Sequence, residues 1–372
     1  MKKYLIIISA MLLSTLVVAQ PYTFTDVVKN PITPVKSQDR TGTCWAYATT
    51  AFVEAELLRM GKGEHDLSEM FTVRNNYNTR INDNFIRRGR GNIGPGSIAH
   101  MAINSIAQNG FLPQSVYNGI NYDSPTHNHG ELSMYMRAIV DASVKSKKRS
   151  PEYYELLESL FDTYLGEVPE TFTYEDKEYT ALSFRDELEF DCSQYVEITS
   201  FSHHPFYEKI QVEIPDNWDH QRMYNLPLDE FMSVIDYALE NGYTIAWDGD
   251  CSEAGYDFAN QIAILPKDKS LKRDDVTKTK TVIEEVDQVC QKYRQEGFEN
   301  FTTTDDHLEL IFGIAKDQNG VKYYNTKNSW GTDRNGTGLH YMSEKFVRAK
   351  TIGILVHKNS IPKDIRKKLG IK

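Results

Sequence analysis

The chain has 372 residues, 40% of them hydrophobic and 12% aromatic, with a formal net charge of −10 and a pI near 5.5. That length can bury a large core and by itself allows two domains. The acidic balance argues against nucleic acid or anionic lipid as the main partner, and plain solubility accounts for it.

Lys2 and Lys3 form a basic start, and Tyr4 to Ala19 is almost entirely apolar. Val17-Val18-Ala19 then offers small residues for cleavage ahead of Gln20-Pro21. This pattern predicts a signal peptide over 1–19 and an exported chain from 20, in the periplasm or the medium. The apolar run falls short of the roughly 20 residues of a membrane span, so no stable membrane insertion is expected after cleavage. Losing the leader moves the formal charge from −10 to −12. Arg87-Arg88-Gly89-Arg90 and Arg366-Lys367-Lys368 read as exposed, solvated runs.

Trp45 to Arg59 reads as a helix, with Ala48, Phe52, Ala55 and Leu58 recurring at spacings of three and four. Gly61 and Gly63 stop it. Ser68-Glu69-Met70-Phe71 starts a second helix, and Ser97 to Gln108 forms a third, ended by Asn109-Gly110. Residues 123–258 read as a long insertion within one domain spanning 20–372, with helices at Leu132–Lys145, Pro151–Tyr164 and Leu228–Leu239. Strand-like runs follow at Leu308–Ala315 and Val321–Thr326, joined by the polar turn Lys316–Gly320. Helices first and strands later predict an α+β fold of two lobes, one helical and one an antiparallel sheet, with a cleft between them.

Four cysteines are present: Cys44, Cys192, Cys251 and Cys290. No CxxC pair and no His/Cys cluster at zinc spacing occurs, so no metal or organic cofactor is implied. Cys192, Cys251 and Cys290 read as buried free thiols, with any pairing left open.

Three stretches carry chemistry: Gln38-Asp39-Arg40-Thr41-Gly42-Thr43-Cys44-Trp45-Ala46, Asp305-Asp306-His307, and Lys327-Asn328-Ser329-Trp330-Gly331. Cys44 opens the first helix, where the positive end of the macrodipole favours a thiolate over a thiol of pKa about 8.5. The Gln38 amide, six residues upstream, can donate to a tetrahedral oxyanion beside the Cys44 N–H. His307, before a strand and 21 residues ahead of Asn328, is the base and later the acid. His127, His129, His203, His204 and His340 compete and read as surface or core residues. Asn328 would orient the imidazole without adding charge, and Trp330 would shield that bond from water.

These segments resemble the papain-like cysteine peptidases, and more closely the bleomycin hydrolase and aminopeptidase C branch. The closer likeness rests on the short distance from the predicted cleavage point to Cys44, which leaves no room for a long propeptide. It rests also on the insertion and on Thr199 to Tyr207, Tyr224 to Leu228 and Tyr243 to Asp250. The resemblance implies a papain-like two-lobe fold and amide hydrolysis through a thioester. It also implies that the glycine-rich stretch, with Gly94 and Gly96, contacts the substrate backbone. In that branch the chain's own C-terminal carboxylate binds the substrate's amino group, and rings of subunits form, so aminopeptidase activity and a homo-oligomer are the corresponding expectations. The cationic end Lys368 to Lys372 and the leader depart from the branch. The expected partners are peptide substrates. An endopeptidase, or an acyl transferase using the same Cys/His pair, are the alternatives.

Overall fold

A computed structural model describes residues 21–279 and 281–372. The signal peptide expected at 1–19 lies outside the described residues. Among the described residues no helix is long and apolar enough to cross a membrane.

The chain begins with β1 (Phe24–Lys29), followed by α1 (Cys44–Arg59), α2 (Glu69–Ile86), α3 (Ala99–Asn109), α4 (Gly130–Ser146) and α5 (Pro151–Leu165). A small hairpin, β2 (Phe172–Tyr174) and β3 (Lys177–Tyr179), leads to α6 (Ala181–Glu187). Next come β4 (Tyr195–Thr199), β5 (Lys209–Gln211), β6 (Arg222–Asn225), α7 (Leu228–Glu240) and β7 (Ile245–Gly249). Then follow β8 (Tyr256–Asp257), β9 (Ile262–Ala263), α8 (Arg273–Lys278) and α9 (Gln291–Glu299). The chain ends through β10 (His307–Asp317), β11 (Lys322–Lys327), β12 (Leu339–Ser343), α10 (Glu344–Lys350), β13 (Thr351–His357) and α11 (Lys363–Leu369).

The helices α1 to α5 and α7 fall close to where sequence periodicity and caps place them, and the remaining ones were not expected. Ser68 Oγ accepts the Phe71 amide at 3.1 Å and starts α2, a cap of about 1 kcal/mol. Gly110, at φ 80°, ends α3. The α1 stripe is wider than the sequence suggests. Trp45, Phe52, Val53 and Leu57 are fully buried, and so are Glu54 and Glu56. A helix buried all round sits between layers rather than on a surface, and α1 has α2 and α3 on one side and the sheet on the other.

The sheet explains the layering. Its order is β5-β6-β4-β13-β7-β10-β11-β12-β9-β8, with β1 joining the far half of β10. The expected antiparallel lobe holds, except that β4–β6 and β9–β12 pair in parallel. Each of these closes a longer connection rather than a hairpin. Side chains alternate across the sheet. Ala246, Leu308, Leu310 and Leu355 face the core containing α1 to α3. Ile245, Trp247, Ile311, Ile354 and Val356 face a second core with α7, α10 and α11.

Two consequences follow. Residues 123–258, read in the sequence as an insertion, divide between the lobes: α4 and α5 pack on the helical core, whereas β4 and β7 lie inside the sheet. In addition α11 packs through Ile365 and Leu369 on the sheet face opposite α1, with Lys368 Nζ 2.8 Å from Glu230 on α7. The tail therefore docks away from the α1 side.

All four cysteines are free. The expectation of buried thiols fails for Cys290, which is exposed just before α9, and holds only partly for the half-buried Cys192 and Cys251.

Candidate active site

The two chemical loops zip together between the lobes. The Gln38 backbone N–H donates to the Ser329 carbonyl at 2.8 Å, Gly331 N donates to Lys36 O at 3.2 Å, and Ser37 bridges Trp330. Asp39 holds a left-handed φ of 51° and is pinned by accepting the His127 amide at 3.0 Å. Gly42 is required by close approach, since a Cβ there would lie 2.5 Å from Pro95 Cγ. Trp45 Nε1 donates to Pro95 O at 3.0 Å. The stretch holding Gly94 and Gly96 is thereby anchored to the start of α1.

Cys44 is the first residue of α1, and its cap residue Thr43 offers no side-chain hydrogen bond to the helix end. The first N–H groups, including that of Cys44, therefore have no intrahelical partner and point at whatever lies before the helix. The sulfur faces the Leu308 amide, which favours thiolate, while burial pushes the thiol up to about 12. Leu308 follows His307 directly on β10, so the nucleophile candidate abuts the strand that carries the base candidate.

The His307 ring is buried, and burial holds it down to about 4. Its Nε2 lies 2.9 Å from Asn328 Oδ1, and Trp330 stacks on the ring at 4.8 Å. The backbone N–H of Ser329 also reaches Asn328 Oδ1 at 2.6 Å. A backbone N–H only donates, so that atom must be the oxygen. Nε2 therefore carries the hydrogen, and Nδ1 keeps its lone pair.

Gln38 is fixed by the same logic. Its Nε2 donates to the Thr41 carbonyl at 2.7 Å, and its Oε1 accepts from Ser329 Oγ at 2.7 Å. One N–H of the amide is used, leaving the second for a ligand.

The structure thus brings Gln38, Cys44, His307, Asn328, Trp330 and the Gly94–Gly96 stretch to one region. Three of the competing histidines are engaged elsewhere. His129 Nδ1 meets Tyr77 OH at 3.1 Å, and His203 and His204 each contact Glu213.

Sequence reasoning missed a shell behind Asn328. Asn328 Nδ2 donates to Tyr256 OH at 2.8 Å, and that hydroxyl donates to Glu309 Oε1 at 2.5 Å. His340 Nε2 lies 3.4 Å from the other Glu309 oxygen. Burial pushes Glu309 up to about 8 and His340 down to about 3. The signal available was a lone Glu inside the apolar run Leu308–Ala315, since an acid on such a strand needs a partner. Also missed was a polar knot between the lobes. Lys36 Nζ contacts Glu54 at 2.9 Å, Asp66 at 2.6 Å and Glu69 at 2.8 Å. Lys327 Nζ donates to the carbonyl and hydroxyl of Thr33, both at 3.0 Å.

A helix carrying a Cys at its N-terminus, packed on a sheet carrying a His–Asn pair, defines the papain-like class of fold. Residues 96–371 match the model of the Peptidase C1-like family, and residues 21–146 match that of the Papain family cysteine protease. The first match covers well over half of the chain, and the chain belongs to the peptidase C1-like family of papain-like cysteine peptidases. No curated protein matches it. Among solved structures, PepW from Lactobacillus rhamnosis is similar with a TM-score of 0.70 at 17% identity, covering 93% of this chain and 84% of that one. The bromelain protease from Ananas comosus aligns with a TM-score of 0.40 at 14% identity over 88% of this chain and 94% of that one.

Proposed function

We propose that this cysteine peptidase is exported and cleaves peptide bonds through Cys44, His307, Asn328 and Gln38, trimming residues from the amino end of peptides. The observation that carries the reading is the fixed Asn328 amide, which leaves His307 Nδ1 as a free base on the strand that abuts Cys44.

In this reading His307 takes the Cys44 proton and the sulfur attacks the scissile carbonyl carbon. The oxyanion is met by the free N–H of Gln38 and by the Cys44 amide at the head of α1. Collapse of that intermediate breaks the C–N bond, and His307 protonates the leaving amine. Water, deprotonated by His307, then hydrolyses the thioester and restores the thiol. Gly94 and Gly96 present backbone to the substrate, since no side chain stands in the way. The closer likeness to the bleomycin hydrolase and aminopeptidase C branch supports amino-end trimming.

Internal cleavage is the second reading. It is favoured by one observation: α11 lies on the far face of the sheet, so the tail does not close the α1 side. Free and N-acetylated peptides separate the two. Release of single N-terminal residues from free peptides alone supports trimming, whereas cleavage of both forms at internal bonds defeats it. Export is tested by the mature N-terminus, expected at Gln20.

A further inference from the structure

We propose that Asp248 and Asp305 form a receptor for a positively charged group of the substrate, an ammonium or guanidinium, held beside the Cys44 sulfur. The proposal rests on the peptidase reading above and specifies what that site selects.

Strand alternation puts Asp248 there. Along β7, Ile245 and Trp247 face the far core and Ala246 faces α1, so Asp248 faces α1 as well. In register it stands opposite Leu308, whose amide meets the Cys44 sulfur. Asp305 precedes the His307 strand by two residues, close enough for the two carboxyl groups to act on each other's charge. Both act on the charge at Cys44, with Asp216 behind them.

Among the described residues, several acids near this pair have partners of their own. Glu197 has His100 at 2.8 Å, and Asp216 has Asn92 at 3.4 Å and Arg80 at 4.0 Å. Asp250 has Lys350 at 3.4 Å. Asp248 is only 3% exposed, and neither of its oxygens, nor Oδ2 of Asp305, has a hydrogen-bond partner among the described residues. A buried carboxylate with no donor costs far more than a partnered one, which marks a place that a ligand completes. Burial and the nearby Asp216 charge hold Asp305 up to about 7, and burial with the Asp305 charge pushes Asp248 well above the usual carboxylate range. A cation placed beside the pair would be matched by the negative charge that either carboxyl group gains on ionising.

A Cβ at Gly96 would lie 2.0 Å from Asp216 Oδ2, so the glycine stretch itself borders an acid that also acts on Asp248 and Asp305.

Two measurements on the full chain test this. In the first, kcat/KM is compared for peptides carrying Lys or norleucine on the acyl side of the cleaved bond, each with a free or acetylated α-amine. At least one cationic form should exceed its neutral counterpart by about ten- to a hundredfold, and that ratio should fall towards one in Asp248→Asn and in Asp305→Asn. Loss on acetylation assigns the α-ammonium as ligand; loss with norleucine assigns the side chain. A ratio near one in the native chain, or an unchanged ratio in both variants, overturns the proposal. The second compares Cys44 alkylation by 2-bromoethylamine and by iodoacetamide. The cationic reagent should gain about tenfold over its ratio with a free thiol, and lose that gain in Asp248→Asn. This readout needs no peptide cleavage, so it fails or succeeds independently of the peptidase reading.

Discussion

His307 Nε2 donates to Asn328 Oδ1 at 2.9 Å, and the direction of that bond is dictated by the Ser329 N–H, which takes the same oxygen at 2.6 Å. One backbone donor thereby fixes a side-chain amide, a histidine tautomer and the position of a free ring lone pair. Substituting Asn328→Ala removes the acceptor but leaves the ring. Under the proposed mechanism kcat should fall at least about tenfold with a much smaller change in KM, because an orienting group acts on the reacting geometry. Steady-state kinetics on a fluorogenic peptide measure this; a change confined to KM would oppose it.

Gln38→Ala should lower kcat/KM by about a hundred- to a thousandfold, the usual loss on deleting one oxyanion donor. Gln38 also ties the loops together through Ser329 Oγ. The melting temperature must therefore be read alongside activity, and a large loss of activity with an unchanged Tm identifies the oxyanion role.

The pH profile has a defined sign. Burial lowers His307 to about 4 and raises Cys44 to about 12. Between these limits the pair holds one proton, shared as thiol and imidazole or as thiolate and imidazolium. Cleavage needs that form, so kcat/KM should fall about tenfold per unit below about pH 4. Stability moves the same way, because the folded His307 value lies below the unfolded one of 6.5. The folded chain binds fewer protons, so this contribution is complete above pH 6.5 and is lost as pH falls towards 4. An acid limb of kcat/KM centred near 6.5 would contradict the buried, neutral His307.

Lys36→Met should destabilise the fold by about 3–5 kcal/mol, since it strips the cation from the buried Glu54 and Glu69. Urea unfolding monitored by tryptophan fluorescence gives the difference. A change within about 0.5 kcal/mol, as at an ordinary surface site, would show that the knot carries no net stabilisation.

The legible and illegible parts divide along physical lines. The helix starting at Cys44, the Ser68 cap, and the β10–β11 hairpin were readable because local periodicity and capping set them. That Gln38 and Asn328 serve one site was readable from the two motifs, whereas the contacts of Gln38 with Ser329 were not. Three things escaped. Glu54 and Glu56 are buried in α1, because the stripe rule assumes one open face and this helix has none. The place of β7 between β13 and β10 depends on long-range pairing that no local window contains. Asp248 stood in the sequence within an apolar strand, yet its lack of a base became visible only once the neighbouring acids had found theirs.

The central claim is that Cys44 is the nucleophile of a papain-like peptidase, and one measurement meets it head on. The chain from Gln20 onward is treated with a peptidyl epoxide and then mapped by peptide mass spectrometry, with peptide hydrolysis followed in parallel for the native chain and for Cys44→Ala. The account predicts stoichiometric alkylation at Cys44, loss of hydrolysis in step with labelling, and no activity above background in Cys44→Ala. Undiminished hydrolysis by Cys44→Ala, or inactivation that maps to Cys192, Cys251 or Cys290 instead, would contradict it.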